Sequence, residues 1–409
     1  MAAPKPELPR WAALVREKYL AGEASTFVLY RNVFDVFLHD GRFQDLQTFL
    51  TEVLVEQTKS TIVEVSSEFG VQCLKGKVEL DQGGDLMHKL HSLERHLSAS
   101  HGTAVIVPYA DTLMPSEDAA FVSSEDRMVA TLFHRWSLDR KLNATDNITF
   151  IIVETLGSLN QGLLSNPKVS AVEVPMPDLA ARSSVVRHLG PKLTDKQLRL
   201  YAERMAGLRA VQIESLMRAS GDSSMTEAER EKLIAQLLSG APDAQERAKR
   251  FAGITAGMTA EEIVKLVEPT KAVPSVDPDD DVLRLILQRK RELIEKECAG
   301  LIEFVEPKHG LAAVGGAQHI TGELAEIARS LRAGDSKLTP MGLLAVGPMG
   351  AGKTFVIKAF LKDAGLSAVA LKNFRSKWVG STEKNLERVL ATVKAMGPSA
   401  VLIAEGDRS

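Results

Sequence analysis

The sequence has almost no cysteine. Cys73 and Cys298, the two present in 409 residues, lie far apart with no CxxC pair or Cys/His cluster around them. That excludes a disulfide framework and a thiolate zinc site and leaves both as reduced, largely buried thiols. Long apolar runs are also missing, because the longest, at residues 104–107 and 148–153, fall far short of the roughly 20 residues a membrane helix requires. The amino terminus carries Pro4, Pro6, Glu7 and Pro9 where a secretory signal needs an unbroken apolar stretch. No membrane partner is expected, and the cytoplasm is the default location. An excess of one charge is lacking too: 50 Lys and Arg stand against 53 Asp and Glu, for a formal charge of -3 and a pI near 6.4. No global field therefore attracts nucleic acid, and no local motif marks a nucleic-acid site. Aromatics are sparse at 5%, but 44% apolar and 25% charged residues form an ordinary globular composition and exclude wholesale disorder.

What is present is alternation. The length predicts two or three domains at roughly 100 to 200 residues each. Between residues 26 and 173, five short β-branched runs, at 27–30, 61–65, 103–107, 148–153 and 169–174, alternate with amphipathic stretches, the pattern of a mostly parallel sheet covered by helices. Before the third run, Leu86, Leu90, Leu93 and Leu97 recur at steps of four, three and four and give one apolar helical stripe. After Pro177 strands disappear, and residues 195–205, 210–217 and 226–238 read as a helical subdomain. Residues 268–281, with Pro269, Pro274, Pro278 and three successive aspartates, form the clearest linker, and a helix is expected from Val282. Strand and helix alternation restarts at Gly342, with strands expected at 343–346, 368–371 and 400–404. His88, His91, His96 and His101 supply no HExxH spacing and read as a solvated helix face. The run Arg289-Lys290-Arg291 alternates with Glu292, Glu295 and Glu297 as a salt-bridged exposed face does.

Chemistry concentrates at Gly347-Pro348-Met349-Gly350-Ala351-Gly352-Lys353-Thr354, which fits G-x-x-x-x-G-K-[ST] between an apolar run and a helical one. The glycines let backbone N–H groups wrap a phosphate, and the following helix at 355–362 adds its positive end. Lys353 is suited to reach the β and γ phosphates, and the Thr354 hydroxyl to reach Mg²⁺. An acidic strand end should lie alongside, and residues 400–407 are the candidate. An aspartate there would support the metal and the next acid would orient the attacking water. Ala404 occupies the first position and Glu405 the second. A slipped register makes Glu405 the metal partner instead, and in either register one acid is missing.

Together with Val314-Gly315-Gly316 ahead of the loop and Ser376-Lys377-Trp378-Val379-Gly380-Ser381-Thr382-Glu383-Lys384-Asn385 after the second strand, these pieces resemble the AAA+ ATPases, and within them the AAA clade. The resemblance implies an α/β fold with a P-loop NTPase-like parallel sheet and flanking helices. Lys377, Trp378, Val379 and Gly380 look like that family's pore loop, which in a hexameric ring grips an unfolded polypeptide. Trp378 offers a sequence-tolerant apolar grip and Gly380 lets the loop bend, the alternative being a tryptophan packed in its own core. Departures are Ala313 before Val314, Ala404 on the metal side, and the absence before Ser409 of two further strands, a sensor residue, an arginine finger and a helical lid. A sheet without its central strand would expose apolar edges, so an incomplete chain is expected.

The amino-terminal region resembles an AAA module by architecture alone. Arg31-Asn32-Val33-Phe34-Asp35-Val36 after its first strand has neither glycine nor lysine, and Asp111 is at most a relic of an acidic strand end. The expected organisation is a degenerate AAA-like module at 1–267, with its α/β part about 24–185 and its helical subdomain about 186–267. A linker at 268–281 and a P-loop ATPase module at 282–409 follow. ATP and Mg²⁺ are the expected cofactors, with the loop residues 347–354 and Gly315 binding nucleotide, Thr354 the metal ligand and Glu405 the catalytic group. The expected activity is ATP hydrolysis driving remodelling or threading of a protein substrate or adaptor-delivered protein by a homo-oligomer, a hexamer by resemblance. The alternative is a nucleotide-binding scaffold or regulatory subunit that does not hydrolyse.

Overall fold

The computed structural model describes residues 8–79, 84–116, 122–191, 193–217, 227–239, 244–254, 263–264, 267, 291, 294–295, 298, 301–305, 307–316, 318–333, 340–348, 350–371, 381–396 and 399–403. Helix α1 (Arg10–Leu20) seats Trp11, Ala12 and Val15 in the core and leads to β1 (Thr26–Arg31). Strands β2 (Val36–His39) and β3 (Arg42–Asp45) then form a hairpin whose turn, Asp40-Gly41, is left-handed at both residues, with φ of 47° and 71°. Asp-Gly is the turn chemistry a two-residue hairpin favours. Asp45 accepts a hydrogen bond from Thr48 N to start α2 (Leu46–Thr48), which runs into the π-helical segment Phe49–Val55.

The layered part follows: β4 (Thr61–Ser66), β5 (Gly70–Lys75), α3 (Leu86–Ala99), β6 (Thr103–Val107), α4 (Ser124–Leu138), α5 (Arg140–Asn143), β7 (Ile148–Val153), α6 (Gln161–Leu164) and β8 (Val169–Val174). Six strands form one sheet in the order β5-β4-β6-β7-β1-β8, parallel except for the antiparallel edge strand β5. Alternation along β1 explains why both faces are dry: Val28 joins Val63, Leu90, Val105, Phe133 and Ile151 on one side. Phe27 and Leu29 join Trp11, Phe49, Ile62, Ile106 and Phe150 on the other. The leucine stripe of α3 is buried at Leu90, Leu93 and Leu97, as its spacing requires. Cys73, expected to be buried, lies exposed on β5, since an edge strand has no neighbour to cover its outer positions.

Helices α7 (Leu179–Leu189), α8 (Asp195–Arg204), α9 (Ala210–Met217), α10 (Glu227–Leu237) and α11 (Ala244–Ile254) make the expected helical part. Beyond it lie β9 (Ile302–Val305), α12 (Gln318–Ala333), α13 (Lys353–Ala364), β10 (Ser367–Leu371), α14 (Ser381–Ala395) and β11 (Ser399–Leu402). The second sheet is β11-β10-β9, with β10 and β11 parallel and β9 antiparallel to β10. One cluster of buried side chains joins Val186, Leu198, Ile213 and Phe251 of the helical part to Val369, Val389, Val393 and Met396. A separate cluster around Leu311, Ala328, Phe360 and Ala368 packs α12 and α13 on the other face.

The strand expected at 343–346 is not formed: Leu343, Leu344 and Val346 are 49%, 90% and 85% exposed, in backbone outside any strand. The first sheet supplies the reason. There the first parallel strand, β1, pairs only with the fourth and fifth, β7 and β8, and never with the second or third. Among the described residues of the second region β10 and β11 run parallel to each other, and neither pairs with 343–346. A strand exists only where a neighbour takes its backbone hydrogen bonds. The expected linker at 268–281 lies outside the described residues, as does most of the helix expected after it.

Candidate functional site

The loop at 347–354 turns directly into α13, which begins at Lys353 with Gly352 as its N-cap. Gly350 and Gly352 are left-handed, at φ of 82° and 76°, a conformation that costs any side-chain-bearing residue and that glycine adopts freely. No atom lies within 4 Å of where a Cβ on either would sit, so both glycines border open space. Lys353 Nζ folds back onto the loop and donates to the carbonyls of Gly347 at 2.7 Å and Pro348 at 2.8 Å. A lysine charge, left-handed glycines and the first turn of a helix thus share one small region, the donor set that phosphate groups require. Thr354 is exposed on the first turn of α13, and Ala351 and Gly352 are exposed beside it.

The segment carrying Gly315 is tied to the same helix. Asp363 Oδ2, on the last turn of α13, accepts a hydrogen bond from Leu311 N at 2.9 Å, and Lys362 Nζ donates to Lys308 O at 2.6 Å. A Cβ on Gly310 would meet Asp363 Oδ1 at 2.4 Å, so a side chain there would push the carboxylate aside. Val314 packs into the α12–α13 core, which leaves Gly315 and Gly316 on an open turn. Met349, Lys377, Trp378, Val379, Gly380, Ala404 and Glu405 lie outside the described residues. The tetrapeptide Lys377–Gly380 ends immediately before α14 begins at Ser381.

The corresponding place in the first region has no cradle. After β1 the chain enters a hairpin and not a helix, and the loop is filled by Asp35, only 2% exposed. Its Oδ1 accepts from Val36 N and Val211 N, and its Oδ2 from Asn32 Nδ2 and Ala210 N, all at 2.8 to 2.9 Å. A carboxylate of the protein itself therefore occupies the anion position at the amino-terminal end of α9. Asp111, the supposed relic, sits in the 3-10 turn Ala110–Thr112 after β6. Composition alone missed Asp35, Glu154, Arg209 and Arg388, since each acts through partners distant in sequence.

Between the carboxyl ends of β1, β7 and β8 and the side of α14 lies a cleft of about 300 Å³, lined by Tyr30, Arg31, Glu154, Arg209, Glu387 and Arg388 among others. Burial pushes the Glu387 carboxyl above the usual carboxylate range against the opposing pull of Arg31. Burial, aided by Glu173, raises the Tyr30 phenol.

Two family models match the chain. The family described as AAA+ chaperone, N-terminal Rossmann-like domain, matches residues 3–175. The family described as ATPase family associated with various cellular activities (AAA) matches residues 343–409, a span that contains the glycine-lysine loop. The chain belongs to the AAA+ family. The ATPase family gene 2 protein of Schizosaccharomyces pombe is 23% identical over 342 residues, 79% of this AAA+ chain and 37% of that protein. The Mitochondrial sorting homolog of Caenorhabditis elegans is 29% identical over 160 residues, 36% of this chain and 46% of that one. The Cell division cycle protein 48 homolog of Archaeoglobus fulgidus is 30% identical over 103 residues, 23% of this chain and 14% of that one. The matched part of this AAA+ chain thus spans less than half the length of each of these relatives. No helix among the described residues is long and apolar enough to cross a membrane.

Proposed function

We propose that this AAA+ chain binds MgATP at residues 347–354 and couples its hydrolysis to remodelling or threading of a protein substrate, within a homo-oligomer, hexameric by family, in the cytoplasm. The observation that carries the reading is the loop itself, with Gly350 and Gly352 left-handed beside open space and the Lys353 ammonium bonded to its carbonyls. When bound, MgATP supplies the phosphoryl group and the Lewis acid. The chain's residues would hold it: the loop at 347–354 would meet the phosphates with the backbone N–H groups of its residues other than Pro348, which has none, Lys353 would neutralise charge on them, and Thr354 would offer its hydroxyl to the metal. Gly315 borders the nucleotide from the segment tied to α13. Glu405 orients a water and holds its proton, while Trp378, with Lys377, Val379 and Gly380, grips the polypeptide. The organisation proposed is a degenerate module at 1–267, a linker at 268–281 and the ATPase module from 282 onward.

Lys353→Ala is expected to weaken binding of a fluorescent ATP analogue at least tenfold, the loss of one charge-assisted contact of roughly 1.5–3 kcal/mol. Glu405→Gln is expected to keep binding and abolish phosphate release. Ala404→Asp, which restores a carboxylate beside the metal, is expected to raise turnover. Unchanged binding in Lys353→Ala would remove the reading at its base, and binding without turnover in the unsubstituted chain would replace the hydrolase with a scaffold.

A further inference from the structure

The amino-terminal edge of α9 is a junction of three contacts within five residues. Gly207, left-handed at φ 87°, faces the end of α14 so closely that a Cβ would lie 2.6 Å from Met396 Cγ and 3.0 Å from Met396 Cα. Arg209 reaches Glu154, just beyond β7, at 3.5 Å, and the same carboxylate accepts a short hydrogen bond from Arg388 of α14. Ala210 N and Val211 N are held by Asp35 from the loop after β1. Helix α14 also rests on the turn Leu156–Ser158, while the 300 Å³ cleft runs beside it.

These contacts differ in how they would respond to strain. Asp35 is buried with all its bonds made, so separating it from α9 would strand a carboxylate and two amides without partners. Glu154, by contrast, is shared between two guanidinium groups. Its side chain is 26% exposed, Arg388 is 36% exposed, and Arg209 is 15% exposed. If α14 moves away, Arg209 keeps the carboxylate and Arg388 passes into water, so no buried charge is left unpaired. Met396, with Val389 and Val393 of α14, stays buried in the core that also holds Ile213 of α9. The polar part of the junction is firm on the α9 side and exchangeable on the α14 side, at Arg388.

We propose that this junction is a latch by which the first region, which has no phosphate cradle, holds α14. Glu154 is the shared catch, Arg388 is the part that releases, and α9 stays with the first sheet. The latch gives the first region a mechanical role in place of a nucleotide-binding one. Its meaning for turnover rests on the nucleotide-binding reading of residues 347–354, but the contact itself does not.

The test is hydrogen exchange read by mass spectrometry on the full 409-residue chain, comparing the unsubstituted protein with Arg388→Glu, Glu154→Arg and the doubly reversed variant. Each single reversal is expected to speed exchange in α14 by roughly tenfold, the size of an ordinary coupling between sites, while β1 and β7 stay protected. The double reversal is expected to restore most of the protection. Unchanged α14 exchange in Arg388→Glu, or a double variant as open as the singles, would overturn the latch. Should Glu154→Arg disturb the first sheet, exchange in β1 and β7 reports it, and Arg388→Glu, on the opposite side, decides alone. MgATP is added to the same samples: protection of the first turn of α13 reads nucleotide binding. Its absence refutes that reading separately and leaves the latch to be judged by α14.

Discussion

Lys59 is 3% exposed beneath α1, where its Nζ donates to Tyr19 Oη and Asp146 O, each at 2.7 Å, and lies 3.0 Å from Asp146 Oδ1. Tyr19 Oη donates to the same carboxylate at 2.6 Å. Burial by itself would raise the Asp146 carboxyl, but the hydrogen bonds from Tyr19 and Lys59 and the lysine charge outweigh it and hold the group below the usual carboxylate range. Burial, with the bond to Asp146, pushes the Tyr19 phenol upward. A depressed carboxyl contributes stability that is complete above the ordinary value near pH 4 and is lost as pH falls through the folded value. Lys59→Met is therefore expected to cost about 2 kcal/mol at neutral pH, because it removes the charged hydrogen bonds that a buried ammonium makes to half-buried Tyr19 and to Asp146. It should also flatten the acid limb of stability, and urea midpoints between pH 3 and 7 read both effects. An equal midpoint shift at every pH would show that packing of the lysine stem, and not its charge, holds α1.

At the scale of elements, segment 343–346 and α9 illustrate opposite outcomes. Leu344 and Val346 have strand-forming sequence on every local criterion, yet stand 90% and 85% exposed because no neighbour takes their hydrogen bonds. Leu344→Lys in this chain is expected to leave stability within about 0.5 kcal/mol and to raise solubility, the usual result at an exposed position. A buried leucine in a paired strand would instead cost about 2–5 kcal/mol, so thermal unfolding of this one variant discriminates the two. Helix α9 is short and has no Ser, Thr, Asp or Asn N-cap of its own in the residues just before Ala210. It is stabilised instead by Asp35, 175 residues away in sequence.

At the scale of the whole molecule, the helical part and the second sheet share one core. Phe251 on α11 and Val369 on β10 belong to the same buried cluster, whereas Phe150 belongs to the cluster on one face of the first sheet. Phe251→Ala is expected to cost about 3–5 kcal/mol and to expose β10 to hydrogen exchange along with α7 and α8. Phe150→Ala should open β1 and β7 first. If β10 kept full protection in Phe251→Ala, the two parts would unfold independently in spite of their contact. The contacts at Glu154 and this shared core both pack the first region against the region that carries the glycine-lysine loop.

Much of this was legible in the residues themselves. The strands at β6, β7 and β8 follow from β-branched runs, the stripe on α3 from leucine spacing, and the loop at 347–354 from glycines that only a left-handed turn requires and a lysine at the helix start. The β2–β3 hairpin was legible too, in Asp40-Gly41, although the run of strands around it draws the eye past it. These features are local, and a chain segment fixes them through its own backbone sterics and periodicity. Tertiary structure alone decided that Asp35 would cap α9, that Glu154 would be shared by Arg209 and Arg388, that Gly207 would admit Met396, and that residues 343–346 would not form a strand. Each of those depends on a partner brought near by folding, and hydrogen bonds, ion pairs and strand pairing exist only when that partner arrives.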